Sequence, residues 1–181
     1  MLNTISIKSL YTLALAEGEG VGTAYEYFAK RLVLTSWLKR AGRLERILIA
    51  GLPEKYGSSL DFLQLAHELG VAVTIVDERP FALQKLQSSL AAAQKEGWLT
   101  AVSPICIPVA SLTALAEVAG PFDLCISSEV VQRVDPAERM HYVMRLRELA
   151  TAVALFTPNG DNPAHTNISG LTGLTLAELR S

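Results

Sequence analysis

Asp77 and Glu78 stand side by side at the end of an apolar run, downstream of a loop that opens with Gly51 and closes with Gly57. A carboxylate in such a place can accept both hydroxyls of a ribose, at about 1.5–3 kcal/mol for each charge-assisted hydrogen bond. Asp77 has a plainer alternative, a solvated acid at the start of the helix that Pro80 opens, and Glu78 can exchange roles with it. The loop Gly51-Leu52-Pro53-Glu54-Lys55-Tyr56-Gly57 runs into Ser58-Ser59. It lacks the Lys-Ser/Thr pair of a phosphate-cradling P-loop and is one residue too long for it. It is not G-x-G-x-x-G either, so a dinucleotide pyrophosphate is poorly served. Two side chains offer themselves as bases, Glu129 and His165. For Glu129 the alternative is a carboxylate at a helix start, and for His165 a solvated turn residue. No residue is assigned a catalytic role from spacing alone. The two cysteines, Cys106 and Cys125, both fall in apolar runs, where a reduced core thiol is the ordinary fate. No CxxC or Cys/His cluster suggests a protein-built metal site.

These residues need a scaffold that brings strand ends together. Residues 46–80 read as a short apolar run, a glycine-bearing turn, a helix, and a second apolar run ending at Asp77, which is a βαβ unit. Continuously apolar strands imply a parallel sheet covered by helices on both faces. Before it come two helices, at about 4–16 and 24–40, the second capped by Thr23 after the glycines at 18, 20 and 22. Ser58 or Ser59 caps the helix that Gly70 stops, and Pro80 opens another that Gly97 ends. A third strand lies within 100–108, moved towards an edge by Pro104. A short helix at 112–118, a fourth strand at 122–127, a helix from the capping box at Asp135-Pro136-Ala137-Glu138, and a fifth strand at 152–157 follow. The pattern is α/β, a three-layer doubly wound, mostly parallel sheet. Residues 1–45 are read as an N-terminal helical extension and 46–181 as the domain proper.

Length and composition agree with one globular unit. Of 181 residues, half are apolar, and 16 basic against 18 acidic side chains leave a net charge of -2. Disorder is excluded, no nucleic-acid-binding field is evident, and no apolar run reaches the roughly 18 residues of a membrane span. A soluble cytoplasmic protein is the expectation, with no nucleic acid or membrane as partner.

Three segments carry a resemblance: RILIAG at 46–51, TIVDERP at 74–80, and FDLCISSEVVQRV at 122–134, followed by Pro158-Asn159. Together they resemble the class I S-adenosylmethionine-dependent methyltransferases over about residues 46–179. The resemblance implies a Rossmann-like sheet of order 3-2-1-4-5 and S-adenosylmethionine as cofactor. It further implies that Gly51, Leu52, Pro53 and Gly57 meet the methionine and sulfonium, Asp77 or Glu78 the ribose, and Val109 and Ala110 the adenine. It places the open face near Ser127 and Ser128, with Ser127 among the cofactor-binding residues, and leaves the acceptor an unidentified small molecule. The aromatic group Tyr25, Tyr27 and Phe28 could close over the ligand, although packing against the sheet is the commoner fate of such a stripe. The chain departs from the family at Ile49, where an acid is usual, at Leu52-Pro53-Glu54, and at Ile107-Pro108-Val109-Ala110, which lacks the acid that meets the adenine amine.

The leading expectation is therefore methyl transfer, which needs an open crevice at 51–57 with Asp77 facing it. The rival is a non-catalytic or degenerate methyltransferase-fold binding or assembly module, a piece of a larger polypeptide; a nucleotide-sugar or NAD binder is a third reading. Because the family generally continues with two further strands, the fifth strand is expected to form an edge. The N-terminal helices or a second copy of the chain, as a homodimer, would cover it.

Overall fold

The computed structural model describes residues 7–54, 59–162, 167 and 170–180. Gly57, Ser58 and His165 lie outside the described residues. Five parallel strands, β1 (Arg46–Ala50), β2 (Ala72–Asp77), β3 (Ile105–Pro108), β4 (Phe122–Ser128) and β5 (Ala150–Phe156), form one sheet in the order β3-β2-β1-β4-β5. The helices are α1 (Ile7–Ala16), α2 (Val21–Leu38), α3 (Leu60–Leu69), α4 (Pro80–Lys95) and α5 (Arg139–Leu149), with a short 3-10 turn at Val131–Arg133.

The period of two along β1 divides the core. Ile47 and Ile49 join a cluster with α1, α2, α3 and α4, while Leu48 and Ala50 join one with Val130, Tyr142 and Leu146. Each fully buried Leu or Ile contributes roughly 1.5–3 kcal/mol, so both faces must be covered, and three layers result. Leu10, Leu13 and Leu34 of the first two helices sit in the same cluster as Ile49 and Phe62. The N-terminal helices thus lie over a face of the sheet. On its outer side β5 pairs with no other strand among the described residues. β3, with four residues, is the opposite edge, where Pro108 and the adjoining Pro104 do least harm.

Local chemistry differs from the sequence expectation in four places. α2 begins after Gly20, so Thr23 is buried within the helix rather than capping it. Ser59 precedes α3 with φ 70° and gives no side-chain cap. Instead Glu17 Oε1 accepts from Leu60 N at 3.0 Å, so a carboxylate from the end of α1 does the capping. Residues 112–118 form turns rather than a helix. α5 starts at Arg139, because Asp135 Oδ1 takes Ala137 N at 2.9 Å in a turn that precedes it.

Candidate functional site

The carboxyl ends of β1 and β2 meet where Gly51 leaves the sheet. Gly51 has φ +82°, and a Cβ built on it would lie 2.6 Å from Val130 Cγ2 and 3.3 Å from Leu112 Cδ1, so only glycine fits. Leu52 follows, almost wholly buried, and its N–H donates to Asp77 Oδ2 at 2.7 Å. Arg79 then closes around the same carboxylate. Its backbone N–H and its Nε both donate to Oδ1 at 2.8 Å, and Nη2 donates to Oδ2 at 2.9 Å. An ionised carboxylate has about four lone-pair sites, and four donors occupy those of Asp77. Burial pushes this carboxyl up, but the hydrogen bonds from Arg79 and Leu52 outweigh it and hold Asp77 below the usual carboxylate range.

Arg79 Nη2 also donates to Leu52 O at 2.7 Å, and Arg133 Nη2 reaches the same carbonyl at 3.2 Å. Two guanidinium groups therefore converge on the turn after β1. Pro80 helps to set this arrangement, because a residue before proline is held extended. Arg79, with φ -104° and ψ 103°, turns its N–H back onto Asp77.

The crevice expected beside Gly51 is thus filled by Val130 and Leu112, and Asp77 turns inward onto its own chain. Glu78 is exposed, and its Oε2 accepts from Leu112 N at 3.1 Å. It borders a cavity of about 190 Å³ that Val130, Arg133 and Asp135 also line. Gly51, Leu52 and Asp77 are brought together and Glu78 stands next to them; Pro53 is half-buried on the same turn. Val109 is buried, its N–H bonded to Asp77 O at 3.2 Å, and Ala110 is exposed with its N–H on Glu117 Oε1. Ser127 points away from any crevice: its Oγ lies 2.8 Å from the Tyr142 hydroxyl, which donates to Ala50 O at 3.1 Å inside the second core cluster. Tyr27 is buried with its hydroxyl on Glu17, and Tyr25 is exposed, so these aromatics do not form a common lid.

A second polar group lies on the other side of β1, between α2, α3 and the ends of β4 and β5. Lys30 Nζ stands 3.2 Å from Glu26 Oε1 and 3.6 Å from Glu129 Oε1, and Lys30 and Glu129 are both buried. Glu129 Oε2, Asp61 Oδ1, Ser59 Oγ and Ser128 Oγ are buried without a hydrogen-bond partner. Burial pushes Asp61 and Glu129 up to about 7 each, against the pull of Lys30. Glu129 sits on a left-handed backbone, φ 58°. Sequence reasoning singled out Glu129 but missed Lys30, Asp61, Arg79 and Arg133. For Lys30 and Arg31 the available signal was a pair of charges on the apolar face of a helix. For Arg79 it was the Asp-x-Arg-Pro order.

No family model matches the chain, and no curated protein matches it in sequence. Its fold does match solved structures. The methyltransferase domain of bacterial CtHen1 superposes with a TM-score of 0.62 at 15% identity, over 85% of this chain and 80% of that one. Magnesium protoporphyrin IX methyltransferase from Synechocystis PCC 6803, with S-adenosylhomocysteine bound, gives 0.57 at 18% identity, over 87% and 70%. A protein described for the conversion of a disulfide bond into a thioacetal group during echinomycin biosynthesis gives 0.58 at 20%, over 80% of this chain and 63% of its own length. The chain has the Rossmann-like fold of class I methyltransferases, with the 3-2-1-4-5 sheet. No helix among the described residues is long and apolar enough to cross a membrane.

Proposed function

We propose that this chain is an S-adenosylmethionine-dependent methyltransferase for a small-molecule acceptor, and that its adenosyl site is latched by Arg79. The observation that carries the latch is the fully occupied carboxylate of Asp77, held by Leu52 N–H and three donors of one arginine. The adenosyl reading is supported by the shared fold, by S-adenosylhomocysteine in the Synechocystis enzyme, and by Glu78, which follows Asp77 at the end of β2 and lines a cavity. The donor chemistry fits a ribose once Arg79 withdraws: Asp77 then offers acceptors to the hydroxyls, and Glu78 is already exposed. S-adenosylmethionine supplies an activated methyl group, so the protein's task is alignment more than acid-base work.

Releasing Arg79 loses charge-assisted hydrogen bonds that ribose hydroxyls replace only in part. A net penalty of about 1–3 kcal/mol weakens apparent affinity roughly 5- to 150-fold. Calorimetry with S-adenosylhomocysteine tests this directly. Wild type should bind weakly, Arg79→Ala about 10-fold or more tightly, and Asp77→Ala not at all, with unfolding curves confirming that each variant is folded. A second reading is favoured by the contact of Val130 with Gly51, which leaves no room beside the glycine. In it the chain is a non-catalytic binding or assembly module of the same fold. Absence of binding in both wild type and folded Arg79→Ala would decide for that module.

A further inference from the structure

α2 is apolar on two sides. Ala24, Tyr27, Leu34 and Leu38 are buried in the core cluster that the helix shares with β1. On its outer side Val21, Tyr25, Phe28 and Leu32 follow one another at steps of four, three and four residues, the spacing of a coiled-coil seam. Val21 is 71% exposed, Tyr25 66% and Leu32 55%, with Phe28 half-buried between the last two. A surface helix ordinarily needs one apolar stripe, and a second one open to water marks a surface that another molecule covers. The basic residues within this span are turned inward, Lys30 onto Glu26 and Glu129, and Arg31 onto Glu68 and the carbonyl of Asp61. The seam therefore has no basic border with which to hold an anionic lipid surface.

We infer that α2 pairs with α2 of a second copy of the chain, the two helices antiparallel about a twofold axis between Tyr25 and Phe28. The order of the seam selects that occupant. Read in either direction it runs aliphatic, aromatic, aromatic, aliphatic, so an antiparallel pair sets Val21 against the partner's Leu32 and Tyr25 against the partner's Phe28. It also directs the basic carboxyl end of the helix, Lys39 and Arg40, towards the acidic amino end of the other copy, where Glu19 precedes α2. A parallel pair would bring the two basic ends together. At the ordinary areas of such side chains the seam exposes roughly 400 Å² per copy, so a pair buries about 800 Å² in total, less than the 1,200 Å² or so of a permanent interface. The dimer is accordingly weak and forms with concentration, with a dissociation constant on the order of tens of micromolar. This pairing leaves the edge of β5 untouched and does not rest on the adenosyl reading.

Sedimentation equilibrium of the full chain between about 1 and about 300 µM, concentrations that bracket such an affinity, is the test. Wild type should pass from 19.6 kDa towards twice that mass. Replacing two exposed side chains together, Tyr25→Glu with Leu32→Glu, should weaken association at least about tenfold. Met144→Glu, an exposed apolar position on α5, should not, and unfolding curves confirm that each variant is folded. Cross-linking reads the direction of the helices on a Cys106→Ser background. Val21→Cys chains mixed with Leu32→Cys chains should join by a disulfide on oxidation. Neither should join with itself, because two copies of one such position lie roughly 16 Å apart in the antiparallel pair, too far for a disulfide. A wild type that stays monomeric at the highest concentration, including one that instead pellets with phosphatidylcholine vesicles, would overturn the inference. So would association that survives the double glutamate variant, or Val21→Cys chains that link to one another. Because the readout is mass and linkage, failure here leaves the calorimetry with S-adenosylhomocysteine untouched, and the converse holds.

Discussion

Two buried carboxylate groups flank β1, and they are opposites. Asp77, at the end of β2, has every lone pair engaged and its carboxyl lies below the usual range. Asp61 and Glu129, on α3 and after β4, have an oxygen each without a donor and are pushed up to about 7 by burial. The first group is closed upon the protein itself; the second retains capacity for something else. Burial alone does not mark a site of action. The balance of donors to acceptors does.

The largest effect should come from breaking the closed group. Asp77→Ala leaves the Arg79 guanidinium and Leu52 N–H without their partner, and urea unfolding should show a loss of about 3–5 kcal/mol. A loss below about 1 kcal/mol would mean that water serves Arg79 as well as Asp77 does.

The open group should show itself in the pH dependence of stability. The folded chain keeps protons on Asp61 and Glu129 that the unfolded chain has released, between about pH 4 and about pH 7. Stability therefore falls as pH rises through that window and levels above it. Asp77 works in the opposite sense: its contribution is present above about pH 4 and is lost only as pH falls towards its depressed folded value. Unfolding free energies at pH 5 and pH 8 should differ in favour of pH 5, by up to a few kcal/mol. Asp61→Asn should shrink that difference, and an unchanged slope would remove Asp61 from the open group.

The finest test uses neighbouring serines at the end of β4. Ser127 Oγ is paired with Tyr142, whereas Ser128 Oγ is buried without a partner. Ser127→Ala should cost about 1 kcal/mol in thermal or urea unfolding, and Ser128→Ala about zero or a small gain. Equal costs would show that the donor balance does not govern this end of the sheet.

Much of the scaffold was legible because its signals are strong and local. Ile47 to Ala50 and the run ending at Asp77 read as buried parallel strands, Gly70 ends α3 with a left-handed φ of 66°, and Pro104 pointed to an edge. Capping was less legible, since Leu60 N–H is served by Glu17 from a distant helix rather than by an adjacent serine. The position of Asp77 at the sheet's carboxyl end followed from the strand pattern; its state did not. Whether a carboxylate faces ligand or its own arginine depends on how Pro80 holds Arg79 and on Val130 filling the space beside Gly51. Val130 is one of many apolar residues, and nothing in its type or spacing distinguishes it. Lys30 escaped notice for a similar reason: a lysine amid apolar residues reads as a solvated side chain until the fold sets Glu26 and Glu129 around it.

The first two helices share their side-chain packing with the sheet: Leu10, Leu13 and Leu34 touch the same core as Ile49 and Phe62, and Glu17 caps α3. The molecule consequently has no seam near residue 45. A protease cutting there would yield two pieces held together by their common interior, and a fragment expressed from residue 46 onward would keep α3 and α4 on that face but expose the part of it that α1 and α2 cover.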